Sequence, residues 1–303
     1  MDEPHPPALA LSISPAARAL ISQHTPFRFH EVKLGGAASQ APTDTDADSG
    51  RGASTVLEPF LPLSSPSPTS LPLILTPPRP SDPPALVRTL NDPRVAFSLV
   101  GPPYPYTEEI AREWVDFKRK AAEEAFAELA QRAEEELARR EENATGVSEA
   151  SAAPWIVDGL PVGNIRRADT GEWVGDFGLP RWNYEDTPDE VERDQLLKEN
   201  DAKEAGEPSI IWTFGFFLNP DYHGKGIMQH VLRTVLSTYV FPFLRADEIC
   251  GAAFTENRAS IRTQEKCGFQ AYYTFTRQIS EARGGGIKEV TNLRLRRVEF
   301  ERA

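Results

Sequence analysis

The C-terminal third of the chain alternates between short apolar runs and segments with helical spacing. Four runs predict strands: Ile210–Leu218, Glu248–Phe254, Gln270–Gln278 and Leu293–Phe300. Two segments between them predict amphipathic helices: Gly226–Val240 and Asn257–Cys267. The second helix is expected to end at Gly268, because glycine adopts the left-handed conformation of a helix end without strain. Strands that alternate with helices in this way indicate a mixed α/β sheet.

The middle of the chain carries one long amphipathic pattern. The apolar run at Leu71–Thr76 predicts a strand, and Pro83–Leu90 predicts a short helix with proline in its first turn. The apolar positions from Ile110 to Leu137 keep helical spacing over about eight turns. The second half of this helix is mostly Ala, Glu and Arg, so we expect it to project into solvent. A coiled coil with a partner is the alternative.

An acidic segment follows a predicted hairpin. Pro161–Arg167 and Glu172–Leu179 flank a turn at Asp169–Gly171 and predict two paired strands. The segment Glu185–Glu207 then carries ten acidic residues. We interpret it as a mobile insertion with a short helix around Val191–Lys198, most of whose charge is simply solvated.

The first seventy residues are low in complexity, and we expect them to be largely disordered. Gly35–Arg51 offers no apolar side chains to bury, and Ser64–Ser70 is rich in serine and proline. Phe27–Leu34 alternates apolar and polar residues and predicts one extra strand. The predicted domain therefore spans residues 71–303, with insertions at about 120–150 and 183–208.

Composition narrows the function classes. The net charge is −12 and no dense Lys/Arg run appears, which argues against a nucleic-acid partner. Two cysteines fit a reducing compartment, and the five histidines show no metal-ligand spacing, so we predict no metal. The proline-broken N-terminus does not resemble a signal peptide, and no apolar run is long enough to span a membrane. We expect a soluble cytoplasmic protein, with the nucleus as the open alternative.

The segment Phe216–Leu232 carries the strongest chemical signal. A strand ends at Leu218, and Gly224 and Gly226 then open a helix, where free amides and the helix dipole suit a pyrophosphate. Two nucleotide motifs do not fit. Lys225 is followed by Gly226 rather than Ser or Thr, which excludes a P-loop, and Gln229 replaces the third glycine of a dinucleotide fold.

This segment resembles the acetyl-CoA signature of the GNAT superfamily of N-acetyltransferases. His223–Met228 (HGKGIM) stands where the family has Gln or Arg, two residues, Gly, one residue, and Gly or Ala. Thr255–Phe269 is similar to the family's Asn-x-x-Ser helix that ends in Glu-Lys-x-Gly-Phe. Leu71–Asp82 resembles the start of the branch that acetylates ribosomal-protein N-termini. The resemblance spans about Leu71 to Phe300 and implies the GNAT fold with acetyl-CoA as co-substrate.

The resemblance also implies which residues bind acetyl-CoA. Main-chain groups would hold the pantetheine arm and the pyrophosphate, and they belong to Phe216, Phe217, Leu218, His223, Gly224, Lys225, Gly226, Ile227 and Met228. Asn257 would bond the pantetheine, although a plain helix cap is its simpler role. Met228 is larger than the family's residue and must point away from the phosphates. Gly215 would suit a bulge in the strand.

The catalytic acid is less clearly marked. Gln264 stands where many members have a tyrosine that protonates the leaving thiolate. We predict Ser260 in this role and Tyr273 as the second choice. Ser260 as a first-turn hydroxyl bonded to the backbone is the simpler alternative. Of the adjacent Tyr272 and Tyr273, we expect one in the core and one facing the cleft.

The acceptor is expected to be a primary amine, either a protein N-terminus or a small molecule. It should lie between the loop at Asp92–Tyr106 and the final hairpin, with Phe97, Tyr104 and Tyr106 lining the site. The strand Ile210–Leu218 contains no acid or histidine to serve as a base, which favours a weakly basic amine. A water chain to Glu185, Asp186 or another acid is the alternative. His223 and Met228 depart from the family pattern, so the alternative is a GNAT-fold binding protein with weak or no catalytic activity. The sequence does not indicate the oligomeric state.

Overall fold

The computed structural model describes residue 9 and residues 11–33, 55–63, 71–142 and 155–302. The helices are α1 Pro15–His24, α2 Pro83–Leu90, α3 Pro93–Ala96, α4 Glu108–Glu142, α5 Glu190–Asp201, α6 Ile227–Val235, α7 Arg258–Glu265 and α8 Arg297–Phe300. The strands are β1 Arg28–Lys33, β2 Thr55–Leu63, β3 Leu73–Thr76, β4 Asn164–Arg167, β5 Trp173–Gly178, β6 Trp212–Thr213, β7 Gly215–Leu218, β8 Glu248–Phe254, β9 Gln270–Gln278 and β10 Ile287–Arg296. A π-helical turn, Leu236–Val240, extends α6.

The strands form two sheets. The first has the order β1-β2-β3-β4-β5-β7 and is antiparallel throughout. The second has the order β6-β8-β10-β9, and its β6–β8 pair is parallel. The mixed α/β fold that the alternating pattern predicts is therefore confirmed, and the predicted helices at α6 and α7 are present.

The predicted strand Ile210–Leu218 changes sheets at Phe214. Before it, Trp212 and Thr213 pair with Ile249 and Cys250 of β8. After it, Gly215–Leu218 pairs with β5 on the opposite side. Within the described strands β7 is thus an edge, and β8 pairs only with β10 beyond Cys250. The two strands part and leave a space between them, which we call the gap; its closed end is at Thr213 and Cys250.

Parts of the stretch predicted as a disordered extension belong to the fold. The extra strand predicted at Phe27–Leu34 is present as β1, and β2 joins it to β3. Phe27 is fully buried and contacts the rings of Phe126 and Tyr239. These segments have few apolar side chains, but those side chains pack together into one continuous hydrophobic core, which is enough to hold the segments in the fold. The segments Gly35–Arg51 and Ser64–Ser70 lie outside the described residues.

The long helix does not project into solvent as its composition suggests. In the second half of α4, Phe126, Leu129 and Ala133 are fully buried. Helix α1 packs along this half, and Ser14 Oγ donates a hydrogen bond of 2.7 Å to Glu134 Oε1. The apolar face that an external partner would need is covered from within the chain.

The acidic insertion is anchored rather than mobile in the part that carries α5. Asp189 caps the helix by accepting a 2.9 Å hydrogen bond from the Glu192 amide. Asn200 is fully buried, and its side-chain amide binds both the N–H and the C=O of Ile211, at 3.0 and 2.9 Å. These bonds require Asn200 to stay beside the start of β6, so the prediction of a mobile segment is wrong here. The predicted helix itself is confirmed.

Three further features bear on the predicted class of protein. Among the described residues, no helix combines the length and apolar character that a membrane span requires. Within the same residues, no group of three or more His, Cys, Asp or Glu side chains is placed to hold a metal ion. Both cysteines, Cys250 and Cys267, are buried as free thiols.

Candidate active site

The gap presents an unpaired strand edge to a ligand. Phe216 and Phe217 are half-buried, and Leu218 is buried at the end of β7. Gly215 is exposed, and a side chain built there would meet no atom within 4 Å. A strand edge with free N–H and C=O groups pairs readily with an extended amide-bearing ligand. The pantetheine-binding residues predicted from the sequence therefore lie together along one accessible edge.

The glycine loop lies where β7 ends. Gly224 and Gly226 both have φ of 72°, the left-handed region that L-residues avoid. Gly226 directly precedes α6, so the first amides of the helix have no intrahelical acceptor and carry the positive end of its dipole. Such a loop binds phosphate oxygens well.

The other side chains of the loop leave these amides open. Met228 and Ile227 are buried in the hydrophobic core, so Met228 points away from the loop's surface as the sequence requires. His223 Nε2 lies 3.1 Å from the carbonyl oxygen of Leu218, so its ring links the loop to β7. Lys225 Nζ donates a 2.8 Å hydrogen bond to the carbonyl of Asp221. The two substitutions that distinguish this loop from the family pattern thus leave the N–H groups of Gly224–Met228 open, whereas the N–H of His223 bonds to the carbonyl of Pro220.

Helix α7 brings Asn257, Ser260 and Gln264 to the opposite side of the gap. Asn257 Oδ1 accepts a 3.1 Å hydrogen bond from the Ser260 amide, which is the simple cap that the sequence allows. Its Nδ2 group makes no hydrogen bond that the described residues provide. Gln264 is fully buried, and its Nε2 donates to Ser260 Oγ at 3.3 Å. Ser260 therefore uses its oxygen as an acceptor and keeps its own proton available.

Gly251 of β8 has a structural role that its sequence pattern does not predict. A side chain built there would place its first carbon 2.3 Å from Gln264 Oε1 and 2.7 Å from the ring of Phe214. Glycine is required because the strand approaches both groups closely. A glycine inside an apolar strand was the available signal, since it often marks such an approach.

The loop after α2 and the β9–β10 hairpin form the walls of the predicted acceptor side. Arg283 Nη1 donates a 2.6 Å hydrogen bond to the carbonyl of Ala96, and Lys288 Nζ donates to the carbonyl of Phe97 at 3.3 Å. Phe97 is 38% exposed, and the centre of its ring lies 5.6 Å from that of Tyr104. The structure thus brings together the two walls that the sequence predicts.

Tyr106 has a different environment from the other two predicted acceptor-side aromatic residues. It is buried in a second hydrophobic cluster with Leu86, Val95 and Trp173. Burial, together with the charge of Asp176, raises the pKa of its hydroxyl to about 12. Tyr106 therefore packs in the core as a neutral residue, whereas Phe97 is exposed and Tyr104 is half-buried.

The closed end of the gap carries a polar cluster. The hydroxyl of Tyr272 donates a 2.6 Å hydrogen bond to Asp186 Oδ2 and lies 3.9 Å from the sulfur of Cys250. Burial, with nearby Cys250 and Asp186, raises the pKa of Tyr272. Burial also raises the pKa of the Cys250 thiol to about 12, so it stays protonated and is a poor nucleophile. Tyr273, the second predicted acid, is 37% exposed, and the centre of its ring lies 6.2 Å from that of Phe275.

Comparison with solved structures matches this chain to several acetyltransferases. A GNAT-family acetyltransferase from Bacillus anthracis is 15% identical, with 74% of this chain and 94% of that chain covered and a TM-score of 0.46. RimL, a ribosomal L7/L12 alpha-N-protein acetyltransferase, is 14% identical, with 82% and 98% covered and a TM-score of 0.47. The microcin C7 self-immunity acetyltransferase MccE, in complex with acetyl-CoA and AMP, is 12% identical, with 74% and 92% covered and a TM-score of 0.42.

The sequence comparisons give one match that covers most of the described fold. No curated protein matches this chain. The family profile described as an acetyltransferase (GNAT) domain matches residues 72–270, which is well over half of the chain. That range includes the glycine loop and all of α7, the two elements on which the resemblance in the sequence depends. The chain therefore belongs to the GNAT acetyltransferase family.

Proposed function

We propose that this protein is an acetyl-CoA-dependent N-acetyltransferase that transfers the acetyl group directly to a primary amine, either a protein N-terminus or a small molecule. The observation that carries the proposal is the parting of β7 from β8, with the free edge of β7 leading to the glycine loop of α6. One ligand with an extended amide arm and a pyrophosphate matches this arrangement. Acetyl-CoA has both, and it supplies a thioester carbonyl that an amine can attack.

The chain's own groups suit each part of that cofactor. The main chain of Phe216–Leu218 would pair with the pantetheine amides, and the amides of Gly224–Met228 would hold the pyrophosphate. Asn257 Nδ2 would donate to the pantetheine, because its Oδ1 already caps α7. The thioester would then lie toward the closed end of the gap, beside the open face of Gly215.

Ser260 is the proposed acid, with Tyr273 as the second choice. During transfer, the amine nitrogen bonds to the acetyl carbon, the carbon–sulfur bond breaks, and the departing sulfur takes a proton. The Gln264 amide donates to Ser260 Oγ, so the Ser260 proton is free to be donated elsewhere. Placing a proton donor near the developing thiolate lowers the barrier by general acid catalysis.

The pKa of the acceptor favours an α-amine. A lysine with pKa about 10.4 costs roughly 4.6 kcal/mol to deprotonate at pH 7, whereas an α-amine near 7.7–8.0 costs only about 1–1.4 kcal/mol. The strand beside the thioester offers no acidic side chain of its own. We expect faster acetylation of peptides with a free N-terminus than of matched peptides with a blocked N-terminus and a free lysine. The opposite preference would exclude an α-amine as the main acceptor.

Isothermal titration calorimetry with acetyl-CoA tests the cofactor site. We expect micromolar binding by the wild-type protein and none by Gly226→Trp, because the new side chain fills the open space over the loop. Gly286→Trp is the matched control: Gly286 has φ of 78° and equally open surroundings, but it lies in the β9–β10 connection. Both variants carry the same left-handed strain of about 1–2 kcal/mol, so only obstruction of the loop distinguishes them.

The possible results distinguish an active acetyltransferase from a binding protein. Loss of binding in Gly226→Trp alone supports the glycine loop as the cofactor site. No binding by the wild-type protein would favour the alternative, a GNAT-fold protein that acts by binding rather than catalysis. Binding without turnover of any peptide or small amine would favour the same alternative.

A further inference from the structure

The closed end of the gap has one accessible face. Phe214, where the strand changes sheets, contacts Phe269 on the side of α7. Side chains alternate along a strand, so Thr213 and Gly215 point to the other side. Thr213 pairs with Cys250, which places the Cys250 side chain on that same side. The open face of Gly215 and the cluster around Cys250 therefore border the same space.

Asp186 lies in this cluster with one oxygen uncommitted. Its Oδ2 accepts the 2.6 Å hydrogen bond from Tyr272, and the side chain is only half-buried. The described residues place no cation in a salt bridge with it. The neighbouring Glu185 differs, because its carboxylate is paired with Arg277 at 2.8 Å. Of the two acids that the sequence offered as a base, Asp186 is the one whose charge is not already matched.

Tyr272 is well suited to hold this carboxylate. Between Asn292 and Leu293 the register of the β9–β10 pair shifts, and Tyr272 falls at the shift. Its ring packs under the guanidinium of Arg294, 5.0 Å from the ring centre, while its hydroxyl reaches both Asp186 and Cys250. A neutral phenol that donates to one carboxylate oxygen leaves the other free to accept a hydrogen bond from an amine.

We propose, on the basis of the proposed function above, that Asp186 receives the acceptor amine and removes its proton during acetyl transfer, and that Tyr272 positions the Asp186 carboxylate. As the nitrogen bonds to the acetyl carbon, its proton passes to Asp186. The carbon–sulfur bond breaks, and the sulfur takes the proton of Ser260. Proton exchange with water then restores both side chains, so the sum is one amine and one thioester converted to one amide and one thiol.

The charges around Asp186 fit a cationic acceptor. Cys250 and Tyr272 face it from β8 and β9 and are neutral because burial raises the pKa of each. Arg294 of β10 stacks on Tyr272. Burial raises the pKa of Tyr184, which precedes Asp186 by two residues in the chain. An amine arriving as its ammonium form is attracted to the uncompensated carboxylate. It loses its first proton to water before the attack, so that the carboxylate is free to take the second.

Steady-state kinetics with a peptide α-amine test the inference, with calorimetry for acetyl-CoA on each variant. Asp186→Asn keeps the shape and removes the base; we expect unchanged acetyl-CoA affinity, a fall in kcat/KM of about 100-fold, and a shift of the acidic limb of its pH profile toward the pKa of the amine itself. Tyr272→Phe should give a smaller fall of about 10-fold and shift that limb, as a positioning residue would. Glu185→Gln removes the charge that is paired with Arg277 and keeps an oxygen that can accept the hydrogen bond from Asn183. It is the control and should retain wild-type kinetics.

Different results would contradict the role of Asp186 and the proposed acetyltransferase function. Normal acetyl-CoA binding together with wild-type rates and pH profile in Asp186→Asn would overturn the role of Asp186 alone. Absence of acetyl-CoA binding by the wild-type protein would overturn the proposed function and this inference with it. If Asp186→Asn does not fold, Asp186→Glu serves in its place. That variant keeps a carboxylate and should keep the position of the wild-type acidic limb at a reduced rate.

Discussion

At the scale of single residues, Asn292 is the side chain whose polarity has no structural explanation. It is fully buried on β10, and within the described residues neither its Oδ1 nor its Nδ2 has a hydrogen-bond partner. Asn200 is equally buried, yet it binds both main-chain groups of Ile211. A buried amide without partners costs about 1–3 kcal/mol.

We therefore expect Asn292→Leu to raise the free energy of unfolding by about 1–3 kcal/mol, because leucine has a similar volume and no polar atoms to desolvate. Urea denaturation should show a higher midpoint with an unchanged slope. Asn200→Leu is the control and should be destabilised, since it leaves the Ile211 main chain unpaired. An Asn292→Leu protein less stable than the wild type would mean that the amide is satisfied, for example by a buried water molecule.

At the scale of elements, β1 and α1 complete the packing of α4. The ring of Phe27 lies 5.1 Å from that of Phe126 and 5.7 Å from that of Tyr239. Phe27→Ala should lower the free energy of unfolding by about 3–5 kcal/mol, as is usual for a buried aromatic ring. Glu31→Ala, on the exposed side of the same strand, should change it by less than about 0.5 kcal/mol. Equal stability of Phe27→Ala and wild type would show that the packing of β1 does not contribute to the stability of the fold.

The elements also show which features were predictable. The glycine loop, α6 and α7 each depend on residues that are close in sequence, so the local sequence pattern was enough to predict them. Strand β2 was not predicted, because Pro59 and Pro62 interrupt its apolar run; they are tolerated opposite Phe29 and Ile74. The switch of sheets at Phe214 and the contact of Asp186 with Tyr272 join distant segments. No local sequence pattern encodes contacts between distant segments. The register shift in the β9–β10 pair also interrupts the alternation of side chains between the two faces of the sheet at Tyr272 and Tyr273.

At the scale of the whole molecule, an ion pair joins the N-terminal strands to the rest of the fold. Glu58 of β2 is 3% exposed, accepts hydrogen bonds from Arg79 at 2.6 and 2.8 Å, and lies 2.9 Å from His30 of β1. Burial alone would raise the pKa of Glu58, but the hydrogen bonds from Arg79 and His30 outweigh it and lower the pKa from 4.5 to about 2. Folding therefore stabilises the ionised form of Glu58.

The lowered pKa predicts a specific acid sensitivity. In the unfolded chain Glu58 titrates near 4.5, so its contribution of about 3 kcal/mol is complete above that pH and is lost as pH falls toward 2. Glu58→Gln should be destabilised at pH 7, because Arg79 then stays buried without a counter-charge, and the difference from wild type should shrink between pH 5 and pH 2. Asp169→Asn, which breaks an exposed pair with Arg167, should have little effect at either pH. Urea denaturation of each variant at pH 7 and at pH 2 measures these differences in the free energy of unfolding. If the wild type keeps its full advantage over Glu58→Gln at pH 2, the ionised form of Glu58 does not stabilise the fold.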